Sequence, residues 1–404
     1  MTSTLDNNIT PDALPPSLSH SLSLASSSGK VHIPLLVELF WIPAFLAIAI
    51  FLQIPQPGPA RVALGLGVFT TVWTYALTHW VAQPSFLFSP MFGFAVTVRW
   101  LYMVVFDTAE MSFAYVAQGQ TAKESPLEFG FWKKIKWSAD LWFSWRGVGW
   151  NWEVSSIPHP IGKITSRGRW LAVETAAAIA NFAAQKITID HIFCRYYPSS
   201  NTVEAFTGLS LFQRLWISIV HLALGWLFLD NANRLIAIVA VAARLSPPEN
   251  CPPSFGSLTE CYTVRNFWGK AWHQTFKWVR GEQNFNTTGE LVARSTAAKK
   301  GSLLRKYAKL HTAFLMSGVQ HYVATLFVPS PTWAWAMCGQ MVMYAIIITV
   351  EDTLKGLGER MGLRPSFLTY LAGYLWCAFW VPFVYQYVFI YDIDVGFFDG
   401  SCPI

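Results

Sequence analysis

Apolar residues along this chain fall into long, nearly unbroken runs, not into the alternating or three-and-four spacing of a water-facing fold. Runs at 33–53, 62–82, 87–106, 209–229, 311–328, 333–350 and 367–390 meet or approach the length that a helix needs to cross a bilayer; a hydrocarbon core of about 30 Å takes about 20 residues. A shorter run at 232–245 predicts the second arm of a hairpin with 209–229. The Ala-rich stretch 170–187, interrupted by Glu174, predicts an interfacial helix or an extra packed one. Pro43, Pro382 and several glycines inside the runs are compatible with membrane helices, which tolerate them better than soluble ones do. The expectation is an all-α polytopic membrane protein, with about eight transmembrane helices forming a bundle.

The polar intervals set the organisation. Residues 1–30 are rich in Ser, Pro and Asn without apolar period and predict a disordered tail, leaving 31–404 as a single membrane-embedded domain. The tail lacks the basic and short apolar regions of a cleaved signal, so the first run predicts an uncleaved anchor. Segment 107–169 carries Lys133, Lys134, Lys136, Arg146, Lys163, Arg167 and Arg169. Segment 262–310 carries Arg265, Lys270, Lys277, Arg280, Arg294, Lys299, Lys300, Arg305, Lys306 and Lys309 against Glu282 and Glu290. Basic loops stay in the cytosol, so both are expected on the cytosolic side. Two crossings between them, three before and three after put both termini in the lumen, with Arg61 of loop 54–61 on the basic side. On that topology the Asn8 sequon is open to glycosylation and the Asn286 sequon is not.

Composition narrows the class. Of 404 residues, 53% are hydrophobic and 13% charged, where a soluble domain carries about 25% charged; a soluble globular protein is excluded. Twenty Trp, 30 Phe and 14 Tyr suit interface belts. The net charge of +6 is clustered, which points to anionic partners such as lipid headgroups or a phosphorylated co-substrate; no nucleic-acid partner is expected. Cys194, Cys251, Cys261, Cys338, Cys377 and Cys402 have no metal-ligand or disulfide-framework spacing, so neither a metal site nor such a framework is expected; Cys251 and Cys261 could pair across their loop, but on the cytosolic side reduced thiols are expected there.

Three features carry candidate chemistry. His321, in LeuMetSerGlyValGlnHisTyrVal, sits ten residues into an apolar run, about 15 Å along a helix and so near the bilayer midplane. An ionisable side chain there is a functional candidate by default, or else a structural hydrogen-bonder between helices. Ser317 and Gly318, with Gln320, lie within one turn, and the small pair lets a cofactor chain or another helix come close. The second is ValArgAsnPheTrpGlyLysAlaTrpHisGln, 264–274. On a helix its Trp268 and Trp272 face one way with His273 alongside, among Arg265, Asn266 and Lys270; a surface-lying amphipathic helix would read the same. The third is ArgGlyValGlyTrpAsnTrp, 146–152, whose Gly147 and Gly149 permit positive φ between aromatic anchors.

In this order on a polytopic chain, the three motifs resemble the wax-synthase-like branch of the membrane-bound O-acyltransferase family. Within it they look like the fungal O-acetyltransferases that decorate terpenoids and related secondary metabolites. The resemblance covers most of the chain from about residue 33. It implies a bundle around an intramembrane reaction chamber, in the endoplasmic reticulum membrane. It implies ester formation from acetyl-CoA and a hydrophobic alcohol acceptor, with no permanently bound cofactor. His321 would be the base, since a neutral imidazole is the usual proton acceptor near pH 7 and burial keeps it neutral. His273 would orient the acyl carbonyl or support its oxyanion. Trp268 and Trp272 would wall the chamber, and Arg265, Lys270, Asn266, Ser317, Gly318 and Gln320 would contact substrate or CoA. Two readings stay beside it: a long-chain wax synthase, and a transporter whose path is marked by Arg99 and His321.

Overall fold

The structure is a computed structural model; it describes residues 35–79, 88–116, 125–154, 156–157, 166–196, 202–275, 292, 295, 299, 301–328 and 332–397. The tail 1–30, both sequons and most of 276–300 lie outside the described residues. Within them the chain is helical, with one isolated bridge, Tyr115–Trp150. The elements are α1 (Leu35–Leu52), α2 (Pro59–His79), α3 (Phe88–Trp100, prolonged by a π-helical turn at Leu101–Phe106), α4 (Phe131–Phe143) and α5 (Arg167–Ile187). They continue with α6 (Leu211–Ala242), α7 (Leu303–Thr325), α8 (Ala334–Arg360) and α9 (Phe367–Asp394). Five of the described helices, α2, α3 with its turn, α6, α8 and α9, are long and apolar enough to cross a membrane; the apolar part of α1, Phe40–Leu52, is shorter. The chain is an all-α polytopic membrane protein.

One predicted hairpin is replaced by a continuous helix. Runs 209–229 and 232–245 both fall in α6, which has 32 residues and so rises about 48 Å. The residues between the runs, Asp230 and Asn231, include neither Gly nor Pro, and the helix continues through them. Asp230 and Arg234 form a stripe packed on α5: Asp230 accepts from Asn181 at 2.9 Å and from Arg234 at 2.6 Å, and Arg234 also pairs with Glu174. Since Glu174 meets Arg234 while Asn181 meets Asp230, α5 and α6 run antiparallel. The ambiguous stretch 170–187 is therefore a packed long helix. With α5 returning along α6, the two basic segments share one end of the bundle.

Hydrogen bonds confirm that shared end. Arg61 meets Glu110, the Tyr115 and Asn250 side chains pair, Arg146 donates to the carbonyls of Pro252 and Pro253, and Ser156 donates to Gln274. At the opposite end Thr332 and Trp333 donate to Asp394 at the close of α9. Cys251 and Cys261 are free, as expected of them, and so are Cys338 and Cys377, whereas Cys194, just after α5, is disulfide-bonded. Sequence spacing does not report a pair that folding brings together. A disulfide at the end away from the basic segments suits the oxidising side of a membrane.

Arg99, which the transporter reading placed on a permeation path, is instead sealed into the scaffold. Its guanidinium donates to the Leu141 and Ser144 carbonyls at 2.9 and 3.1 Å, at the C-terminus of α4. It also lies 5.1–5.4 Å from the ring centroids of Trp142, Trp145 and Trp152. A helix C-terminus and aromatic faces both favour a cation, so this charge is accommodated by structure.

Candidate active site

His321 belongs to α7, whose 23 residues begin at Leu303, eight residues before the apolar run. The imidazole thus lies in the second half of the helix, about 27 Å from its loop-side end. Leu315, Tyr322 and Leu326 form the exposed stripe of α7, while Gly318, Gln320, Ala324 and Thr325 are buried. His321 projects from the middle of the buried arc. Gly318 on one side abuts α8, where an added Cβ would stand 2.8 Å from the Cys338 carbonyl oxygen. Gln320 on the other side donates to the Met91 carbonyl of α3 at 3.3 Å. The residue is half-buried.

Its hydrogen bond fixes its chemistry. Nδ1 lies 2.7 Å from the Ser317 carbonyl oxygen. A carbonyl only accepts, so Nδ1 carries the proton and the neutral ring presents the Nε2 lone pair. The i−4 carbonyl therefore selects the tautomer that can receive a proton into the bundle.

The Trp–His segment folds as a loop pressed into the same interior. Thr263 caps a short helix, Val264–Asn266, which passes into a π-helical turn at Phe267–Ala271. The loop is braced by Gly256 N–H to Ala271 O and Gln274 N–H to Ser254 O, 2.9 and 3.1 Å. The sequence predicted an i, i+4 pair on one helix face. Trp272 instead follows the turn, and the two indoles still meet at 5.5 Å between centroids. Trp268 packs on Tyr344 of α8 and Phe314 of α7, at 4.8 and 6.3 Å. Trp272 sits 5.8 Å from Trp226 of α6, which stacks on Phe255 at 4.0 Å. His273 lies 5.6 Å from Trp272 and 5.9 Å from Phe255. Phe314 precedes His321 by seven residues, two turns along one face of α7. The loop thus packs on α7 through Trp268 and Phe314, about 10 Å along that helix from His321.

The other predicted contacts divide differently. Gly318 lets α7 approach α8, and Gln320 ties α7 to α3. Ser317 acts through its carbonyl. Lys270 is exposed and pairs with Glu260 at 2.8 Å, which raises its pKa, and Arg265 is held by Asp352 at 2.7 Å. Asn266 is half-buried, its N–H donating to Thr263. Gly147 and Gly149 do adopt positive φ, +66° and +77°. Trp150 and Trp152, however, are core residues, not membrane anchors, and Arg146 fixes the Pro252–Pro253 backbone just before Phe255. Burial lowers the pKa of that Arg146 to about 10. Sequence reasoning missed Trp226, Phe255, Phe314 and Tyr344, which have no motif around them. It also missed Glu351–Asp352, an acidic pair closing the 333–350 run opposite a basic segment.

The model of the membrane bound O-acyl transferase family matches residues 251–345, a span that contains the Trp–His loop, Phe255 and His321. The acetyltransferase sirH of Emericella nidulans is 35% identical over 382 residues, 93% of this chain and 88% of that protein. The acetyltransferase sirH of Leptosphaeria maculans is 27% identical, covering 65% of each chain. The acetyltransferase ple2 of Rhodocybe pseudopiperita is 29% identical, over 63% of this chain and 65% of its own. No solved structure matches the chain.

Proposed function

This chain belongs to the membrane-bound O-acyltransferase family and is an acyl-CoA-dependent O-acyltransferase, and from that premise we propose that it transfers an acetyl group from acetyl-CoA to a hydroxyl of a hydrophobic, terpenoid-type secondary metabolite. The acetyltransferase names of its relatives support the donor. An aromatic-walled interior within a membrane bundle supports a greasy acceptor that enters from the lipid. We assign the protein to the endoplasmic reticulum on the same family basis.

The observation that carries the mechanism is the Nδ1–H bond of His321 to Ser317 O. With Nε2 unprotonated, His321 takes the acceptor's hydroxyl proton as that oxygen attacks the thioester carbon. The carbonyl oxygen becomes an oxyanion, to which His273 is assigned as hydrogen-bond donor. Collapse breaks the C–S bond, and the departing CoA sulfur takes the proton from the imidazolium, leaving ester, free CoA thiol and neutral His321. Trp268 and Trp272 exclude water, which would otherwise hydrolyse the thioester. Membranes bearing the protein, incubated with radiolabelled acetyl-CoA and a panel of hydroxylated terpenoids, should form labelled ester that His321→Ala loses. Equal ester in the variant would remove His321 from the mechanism; no ester with any acceptor or donor length would remove the reading.

A further inference from the structure

The two candidate catalytic histidines sit on different elements, α7 and the 264–274 loop, so their alignment needs something that grips both. On α8, the adjacent acids Glu351 and Asp352 do so. Glu351 accepts the loop's first helical backbone N–H groups, Val264 at 2.7 Å and Arg265 at 3.3 Å, one on each carboxylate oxygen. Asp352 accepts from Arg265 through Nε at 3.1 Å and Nη2 at 2.7 Å, a two-pronged grip on the same turn. The same carboxylate also reaches α7, accepting from Lys306 Nζ at 2.6 Å and Tyr307 Oη at 3.1 Å. Neighbouring residues on a helix point about 100° apart, which lets one dipeptide hold the loop's backbone with one side chain and bridge loop to α7 with the other. Charge-assisted, bidentate bonds of this kind fix geometry as well as energy.

We propose that Glu351 and Asp352 are positioning residues for acyl transfer, a latch that keeps the Trp268–Trp272–His273 wall in register with His321. The assignment rests on the acyltransferase reading above. The consequence is chemical. A loop that has lost its anchor no longer closes the aromatic wall, and water reaches the thioester in place of the alcohol. The C–S bond then breaks with water's oxygen on the acetyl carbon, giving acetate and CoA thiol, with no ester formed.

The measurement is CoA thiol released per ester formed, using acetyl-CoA and the terpenoid mono-ol that the wild type esterifies best, with full-length protein in lipid nanodiscs. The wild type should give a ratio near one. Asp352→Asn and the double variant Glu351→Gln/Asp352→Asn should raise it several-fold, and thiol release should persist without any acceptor. Asp352→Glu, which keeps the charge, should restore part of the coupling. Tyr307→Phe, which removes one part-buried hydroxyl bond and keeps the ring, is the mildest variant and should show a small shift in the same direction. Adding His321→Ala should abolish the uncoupled release. A ratio unchanged across the series, with turnover falling only as folded protein is lost, would show a purely structural role and overturn the proposal. Wild-type protein that neither forms ester nor releases CoA with any acceptor would instead overturn the acyltransferase reading.

Discussion

Two polar centres lie inside this bundle, and they are built on opposite plans. In the first, Glu110 is completely buried and receives Arg61 at 2.6 Å, Lys134 at 2.8 Å and Gln53 at 3.0 Å. These donors come from the end of α1, the start of α2 and α4, so one carboxylate joins three helices. In the second, His321 commits Nδ1 to the Ser317 carbonyl, and the ring is half-buried. A polar group removed from water is costly unless partnered. Glu110 has every incentive met and can only hold; His321 keeps one site unspent and can react. The difference between them separates scaffold from chemistry better than burial does, since both lie within the fold.

The strongest way to break that comparison is to delete each centre and measure both properties. His321→Ala should lower turnover about 10²–10⁴-fold, the range for a lost general base, while the melting temperature of the purified protein barely moves. Glu110→Ala should do the reverse. It strands Arg61 and Lys134 without their shared carboxylate, and breaking a buried pair costs about 3–5 kcal/mol; turnover per folded molecule should be retained. If His321→Ala melts the bundle, or Glu110→Ala abolishes turnover in protein that is still folded, the division fails.

Gly318 sharpens the contrast because it sits between the two roles. An added methyl would stand 2.8 Å from the Cys338 carbonyl oxygen and 3.0 Å from its Sγ. Backbone does not yield as a flexible side chain does, so Gly318→Ala should push α7 from α8 at about 1–3 kcal/mol. His321 is three residues on and moves with the helix. Turnover should therefore fall by more than stability alone accounts for, read as the ratio of specific activity to folded fraction.

How much of this was legible beforehand follows from the range of each interaction. Helices α2, α3, α8 and α9 were readable because an apolar run reports its own environment, residue by residue. Helix α6 reads in sequence as two runs, 209–229 and a shorter 232–245 paired as a hairpin; only α5, 49–60 residues earlier, shows that Asp230 and Arg234 are a packed stripe. His321 and the Trp–His loop stood out as candidates for chemistry, since an imidazole in an apolar run and paired indoles are locally odd. Their mutual placement was not, because it depends on Glu351 and Asp352, 86–87 residues from the loop they hold. Gly318 likewise allowed a ligand or a helix, and only the position of Cys338 decides.

The smallest expected effect concerns pH and comes from the scaffold centre. Burial pushes the Glu110 carboxyl up, but the hydrogen bonds and charges of Arg61 and Lys134 outweigh it and leave the pKa below its ordinary 4.5. A carboxylate depressed in the folded state contributes stability that is present above its unfolded value and is lost as pH falls through its folded one. The melting temperature should thus hold through neutral and mildly acidic buffers and decline below about 4.5, as the carboxyl takes a proton and the two cations lose their counter-charge. Glu110→Gln cannot titrate at this position, so it should melt lower at pH 7 and show a shallower acid slope than the wild type. Parallel slopes in the two proteins would mean that acid acts elsewhere, and that the node joining α1, α2 and α4 is not where the bundle feels the proton.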